Sequence, residues 1–121
     1  MLNANKKTER GVVRKHDIIQ AIMDSNFAGV EAALLDSPGC VNDLHERSGM
    51  NAAMLAAQSA MPTYLEQILA HSRYLNFGAV DRAGRDLLTV AFVSKDREVI
   101  EMTTEAYERH APHVLNNWPE P

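Results

Sequence analysis

The sequence predicts an all-α chain, an α-solenoid of about three stacked helix-turn-helix units. Three observations lead there. Apolar residues recur at spacings of three and four along most of the 121 residues, the spacing of a helix with one buried face. No segment alternates apolar and polar residues with the period of two that a half-buried strand requires. The chain also resembles itself at a shift of 35 residues: Glu46-Arg-Ser-Gly49-Met-Asn51-Ala-Ala53-Met-Leu-Ala56 lies over Asp81-Arg-Ala-Gly84-Arg-Asp86-Leu-Leu88-Thr-Val-Ala91. At the same shift Tyr64-Leu65 fall on Val99-Ile100, and 34 residues separate Val41-Asn42 from Leu75-Asn76. A fixed period of this size marks a repeat architecture.

The elements follow in order. Between Lys15 and Leu35 the apolar stripe runs through Ile18, Ile19, Ala21, Ile22, Met23, Phe27, Val30, Ala33, Leu34 and Leu35. Ser25-Asn26 interrupts it, which divides the stretch into two helices, with one of these side chains capping the second. Ser37-Pro38-Gly39 stops that helix. Ala52 to Ala60 is small and apolar, suited to an inner helix in close contact with its neighbours. Pro62 fits the first turn of the next helix, whose buried stripe is Tyr64, Leu65, Ile68 and Leu69. A loop spans 72–84. Helices follow from Leu87 to Val93 and from Asp96 to about His110, the latter with Val99, Ile100, Thr103 and Tyr107 facing inward. After Ala111 the prolines Pro112, Pro119 and Pro121 predict a non-helical tail. Leu34, Leu35, Leu65, Ile68, Leu69 and Ile100 are expected to fill the layer between inner and outer helices. The repeat domain is placed at 14–110, after a basic arm at 1–13 and before a tail at 111–121 whose Trp118 folds over the last unit or recognises a partner.

These residues resemble ankyrin repeats, whose unit is a β-turn finger followed by two antiparallel helices, with an Asp-x-x-Gly-x-Thr-Pro-Leu-His-x-Ala signature. Asp81, Gly84, Leu88 and Ala91 match it in the third unit, and Gly49 and Ala56 in the second. The Thr-Pro-Leu-His core is replaced by Asn51-Ala-Ala-Met54 and Asp86-Leu-Leu-Thr89. Asn51 and Asp86 keep an oxygen acceptor at the helix start, where Thr would supply one. The resemblance implies a protein that binds other proteins through its fingers and the concave face of its inner helices.

Composition narrows the function. Hydrophobic residues make up 45% and charged residues 23%, with a net charge of −4; these are globular proportions, and the negative sign disfavours nucleic acid as a partner. No apolar run approaches a membrane span. Charge is uneven: residues 1–16 carry Lys6, Lys7, Arg10, Arg14 and Lys15 against Glu9, a net of +4, and the rest of the chain a net of −8. The arm reads as a solvated terminus. It lacks the apolar region of a secretory signal, and a lone cysteine, Cys40, fits a reducing cytoplasm.

Signatures of nucleotide-binding loops, nucleophile elbows and zinc helices are absent. No catalytic residue, metal or cofactor is assigned: His110 and His113 read as surface imidazoles, and Cys40 as a small half-buried residue in a turn. The expected function is non-catalytic protein binding through Arg47, Met50, Met54, Gln58, Arg82, Arg85, Thr89 and Val93. Arg47, Arg82 and Arg85 sit at turn tips, and Arg is enriched at binding hot spots. Nearby acids make local ion pairing the competing reading for them. Met50 and Met54 are expected to offer adaptable thioethers on the concave face. An inhibitor or immunity-type partner that occludes an enzyme's active site is the narrower alternative, and a self-associating structural protein the more distant one. The expected state is a monomer or a weakly self-associating chain.

Overall fold

The computed structural model describes residues 17–116, and seven α-helices lie among these described residues. The basic arm and Trp118 lie outside the described residues. We number the helices α1 (Ile18–Met23), α2 (Phe27–Asp36), α3 (Ala52–Gln58), α4 (Pro62–Leu69), α5 (Leu87–Ser94), α6 (Arg97–His110) and α7 (Pro112–Asn116), with 3₁₀ turns at Pro38–Asn42 and Ser72–Tyr74. Among the described residues there is no β-strand, only an isolated antiparallel bridge between Leu44 and Asn51. None of the helices is long and apolar enough to cross a membrane.

Five helix starts are set by Asp or Asn side chains, of which Asn26, Asn51 and Asp86 are expected from the sequence. Asp17, Asn26, Asn51, Asp86 and Asp96 accept backbone N–H groups in the first turns of α1, α2, α3, α5 and α6. These bonds satisfy donors that a helix start leaves without a partner. α4 starts instead on Pro62, whose missing N–H costs nothing there.

The backbone itself carries the 35-residue period. The outer helices begin at Phe27, Pro62 and Arg97, each 35 residues after the last. The turn before each holds one residue in the left-handed region: Ser25 (φ 55°), Ala60 (φ 53°) and Lys95 (φ 61°). None of these is glycine, so the turn geometry is imposed by helix packing against an unfavourable backbone term of about 1–2 kcal/mol apiece. Asn26 N–H reaches the Ala21 carbonyl at 2.8 Å, and Met61 N–H reaches that of Ala56 at 2.9 Å, the same bond in successive units.

Packing joins these pairs in series. α1 contacts α2, α3 contacts α4, and α5 contacts α6; α3 also lies between α1 and α5, and α4 between α2 and α6. With neighbours on three sides, α3 buries every residue from Ala52 to Ala57. The alanines at 52, 53, 56 and 57 admit that close approach, and Leu65, Ile68, Val99 and Tyr107 close the layer beneath. The units are also tied by Asn42, which accepts Asn76 N–H at 2.8 Å and donates to the Tyr74 carbonyl at 2.7 Å. In the last unit the Asn76 side chain bonds Gly78 N–H instead.

Two expectations are corrected. Leu35 is 74% exposed rather than part of the layer. The buried stripe of α2 is Val30, Ala33 and Leu34, and one residue further turns the side chain about 100° away from it. The segment after Ala111 is helical as far as Asn116, because Pro112 is the first residue of α7 and needs no hydrogen bond there.

Candidate partner-binding face

Two tight turns precede α3 and α5 and bring the arginines together. In the first, His45 N–H donates to the Met50 carbonyl at 2.7 Å and Gly49 N–H to the His45 carbonyl at 2.8 Å. The His45 ring takes part through Nδ1, 2.8 Å from Ser48 Oγ. In the second, Asp81 N–H donates to the Arg85 carbonyl and Gly84 N–H to that of Asp81, both at 2.9 Å. Gly49 and Gly84 both have positive φ (74° and 81°), which glycine adopts without a steric cost.

Arg82 couples the turns. Its backbone N–H donates to the Ser48 carbonyl at 3.0 Å, and its guanidinium donates to the Glu46 carbonyl at 2.8 Å. A Cβ on Gly49 would stand 2.9 Å from Arg82 Cγ, whereas one on Gly84 would meet nothing within 4 Å. Gly84→Ala therefore measures the backbone term alone, about 1–2 kcal/mol. Gly49→Ala is expected to cost more than Gly84→Ala in urea unfolding, because Arg82 must also move. Equal losses would show that the contact between turns contributes nothing.

Arg85 is half-buried and engaged: its Nε and Nη2 both lie 2.9 Å from Asp81 Oδ2. Asp81 Oδ1 accepts the N–H groups of Ala83 and Arg85 at 2.9 Å each. Burial of Asp81 raises its pKa, but hydrogen bonds from the Arg85 backbone, the Arg85 side chain and the Ala83 backbone, with the arginine's charge, outweigh it. The carboxyl is held below the ordinary range. For Arg85 the local ion pair is the observed arrangement.

Among the other expected contact residues, Arg47, Arg82, Gln58 and Val93 are exposed, and Thr89 is half-buried with its hydroxyl donating to Asp86 Oδ1 at 2.9 Å. Met50 and Met54 are corrected: each is only 1% exposed. Met50 follows the left-handed Gly49 and turns into the core, and Met54 is enclosed because α3 has a helix on either side. Their thioethers are core packing. Met23, Gln58 and Val93, each 35 residues apart at or near the ends of α1, α3 and α5, form an exposed row. Met23 was expected in the apolar stripe of the first helix and is corrected: it is 56% exposed, and the period that relates Gln58 to Val93 places it in this row.

Neither a protein-family model, nor a curated protein, nor a solved structure matches this chain.

Away from this face, His110 is exposed, with Nε2 2.8 Å from Ser72 Oγ and its ring stacked on Phe77 at 5.7 Å. This pair fastens the end of α6 to the second 3₁₀ turn. Cys40 is buried, with Sγ 3.6 Å from the Ala33 carbonyl. Among the described residues no group of three His, Cys, Asp or Glu is placed to hold a metal ion. A groove between α2 and α4 went unread in the sequence; its signal there is charge, since Arg47 is the only Lys or Arg between Asp17 and Ser72.

Proposed function

We propose that this chain is a non-catalytic protein-binding module of about three ankyrin-like repeats. In this reading its partner lies across the turn tips and the exposed ends of the inner helices. The observation that carries the reading is the backbone recurrence at Ser25, Ala60 and Lys95. It relates three helix pairs by one repeated step and so lines up equivalent side chains in a row. Repeat arrays of this kind build extended surfaces from such rows. The fold analogy places the surface, and the exposed members are Arg47, Arg82, Gln58 and Val93, with Met23 added from the structure. Arg85 and Thr89 hold the second turn and the start of α5, and so support the face more than they meet a partner.

The test is affinity capture from the native cell extract with wild type beside an Arg47→Glu/Val93→Asp variant. Both side chains are exposed, so far-UV circular dichroism is expected to be unchanged. A protein retained by wild type and weakened at least tenfold in the variant is the expected result. Equal retention would move the site off this face, and capture by neither would count against the binding reading.

A further inference from the structure

Six arginines fall among the described residues, and four of them have a side-chain partner. Arg85 pairs with Asp81 and Arg97 with Glu101, Arg109 lies 4.0 Å from Glu105, and Arg73 lies over the Tyr74 ring at 5.0 Å. Arg47 and Arg82 are the exceptions. Both are exposed, and among the described residues neither has a carboxylate within ion-pair distance. They are also neighbours. Arg82 donates through its backbone N–H to the carbonyl of Ser48 and through its guanidinium to that of Glu46, the residues on either side of Arg47. The two cations thus leave adjoining backbone at the turn tips, in a chain whose residues 17–121 carry seven Lys and Arg against 15 Asp and Glu.

The acids of these turns do not neutralise them. Asp81 holds Arg85 and two turn amides, and Asp86 holds the N–H and hydroxyl of Thr89. Glu46 meets Arg82 through its main-chain carbonyl. A guanidinium presents a planar fork of donors that matches the two oxygens of a carboxylate. The bond to Glu46 already orients Arg82, so less freedom is lost when a ligand arrives. Apolar surface adjoins the pair: Leu44 and Val80, which lead into the two turns, are 58% and 53% exposed. Nucleic acid fits less well. Two cations supply few phosphate contacts, and residues 44–50 and 79–86 include no Phe, Tyr or Trp on which a base could stack.

We propose that the partner presents an acidic peptide segment to the turn tips, with Asp or Glu carboxylates on Arg47 and Arg82 and apolar side chains on Leu44 and Val80. The inference rests on the reading of this face as a partner-binding surface and names the chemistry of what binds there. Arg85 takes no part, because Asp81 already occupies its guanidinium.

Selection of a random peptide library, displayed on phage, against the immobilised full chain tests this. The selected peptides are expected to be enriched severalfold in Asp and Glu over the unselected library. Made as free peptides, they should bind an Arg47→Glu chain at least tenfold more weakly than wild type. The Arg47 side chain has no partner among the described residues, so this change should leave far-UV circular dichroism unaltered. An Arg97→Glu chain is the control for charge. Arg97 lies at the start of α6, beyond α5 from the turns, where an acid suits the helix end, and it should bind the peptides as wild type does. Selected peptides that are neutral or basic on average would overturn the inference, as would equal binding to the Arg47→Glu chain or a selection that yields no binder. A Val93→Asp chain separates this inference from the reading beneath it. Peptides without acidic bias that Val93→Asp weakens would leave the binding face standing and remove its acidic partner. Peptides indifferent to both Arg47→Glu and Val93→Asp would remove the face itself.

Discussion

Tyr107→Ala is expected to cost about 3–5 kcal/mol, the range for truncating a large buried aromatic. Single domains hold only about 5–15 kcal/mol in total, so much of the chain should unfold at room temperature. Tyr107 is the largest fully buried side chain among the described residues. It sits edge-on to Phe77 at 5.0 Å, and its hydroxyl accepts Leu88 N–H at 3.3 Å and donates to the Phe77 carbonyl at 3.5 Å. One residue thus joins α6, α5 and the loop before the second turn. Both hydroxyl bonds are long, so the ring carries most of the effect. Tyr107→Phe should lose only about 1–2 kcal/mol, and urea unfolding of the two variants separates ring from hydroxyl.

The hydroxyl has its own signature in alkali. Burial, with the Asp86 carboxylate nearby, pushes the Tyr107 pKa well above its ordinary 10. A neutral phenol is therefore favoured in the fold, and the unfolded chain loses its proton first. That contribution is intact below pH 10 and declines as pH rises from there towards the raised folded value. Tyr107→Phe should remove this part of the alkaline loss of stability. If the variant and wild type decline in parallel above pH 10, the hydroxyl is not shielded as the fold requires.

Asp81→Ala is expected to be the next most damaging change, at about 1–3 kcal/mol for donors stripped of a buried acceptor. It removes the acceptor of two turn amides and the partner of Arg85 together. The turn should loosen, and with it the Arg82 bonds that hold the first turn. Acid should expose the same dependence in wild type. The folded pKa lies below the unfolded one, so the stabilisation is present above about pH 4 and disappears as pH falls through the depressed value. Asp81→Asn keeps the shape and loses the charge, and it should flatten that acid limb in thermal melts between pH 2 and 5. An unchanged limb would mean that other carboxylates govern it.

The sequence read well where a local rule sufficed. Asn26, Asn51 and Asp86 cap helices as their chemistry predicts, and Pro62 opens α4. The shift of 35 found in residue types reappears in helix starts and in left-handed turns. It read poorly where the answer depends on how many neighbours an element has. Met50 and Met54 look like available thioethers only if one side of α3 is open, and helices occupy both sides. Leu35 and Leu34 are the same residue type one position apart, yet one is exposed and the other buried. Arg47 and Arg82 look equivalent by period, and among the described residues it is Arg82 that donates back to the preceding turn.

The sequence by itself determined the helical class, the period and the starts of the helices from Phe27 to Arg97, because capping, proline placement and apolar spacing act within a few residues of one another. Tertiary structure alone decided which apolar residues are covered, which arginines are engaged, and that a groove lies between α2 and α4. Those outcomes depend on contacts between residues 30–40 positions apart, such as Asn42 with Tyr74, Arg82 with Glu46 and Gln67 with Phe27. Local propensity carries no information about which side of a helix will be met by another.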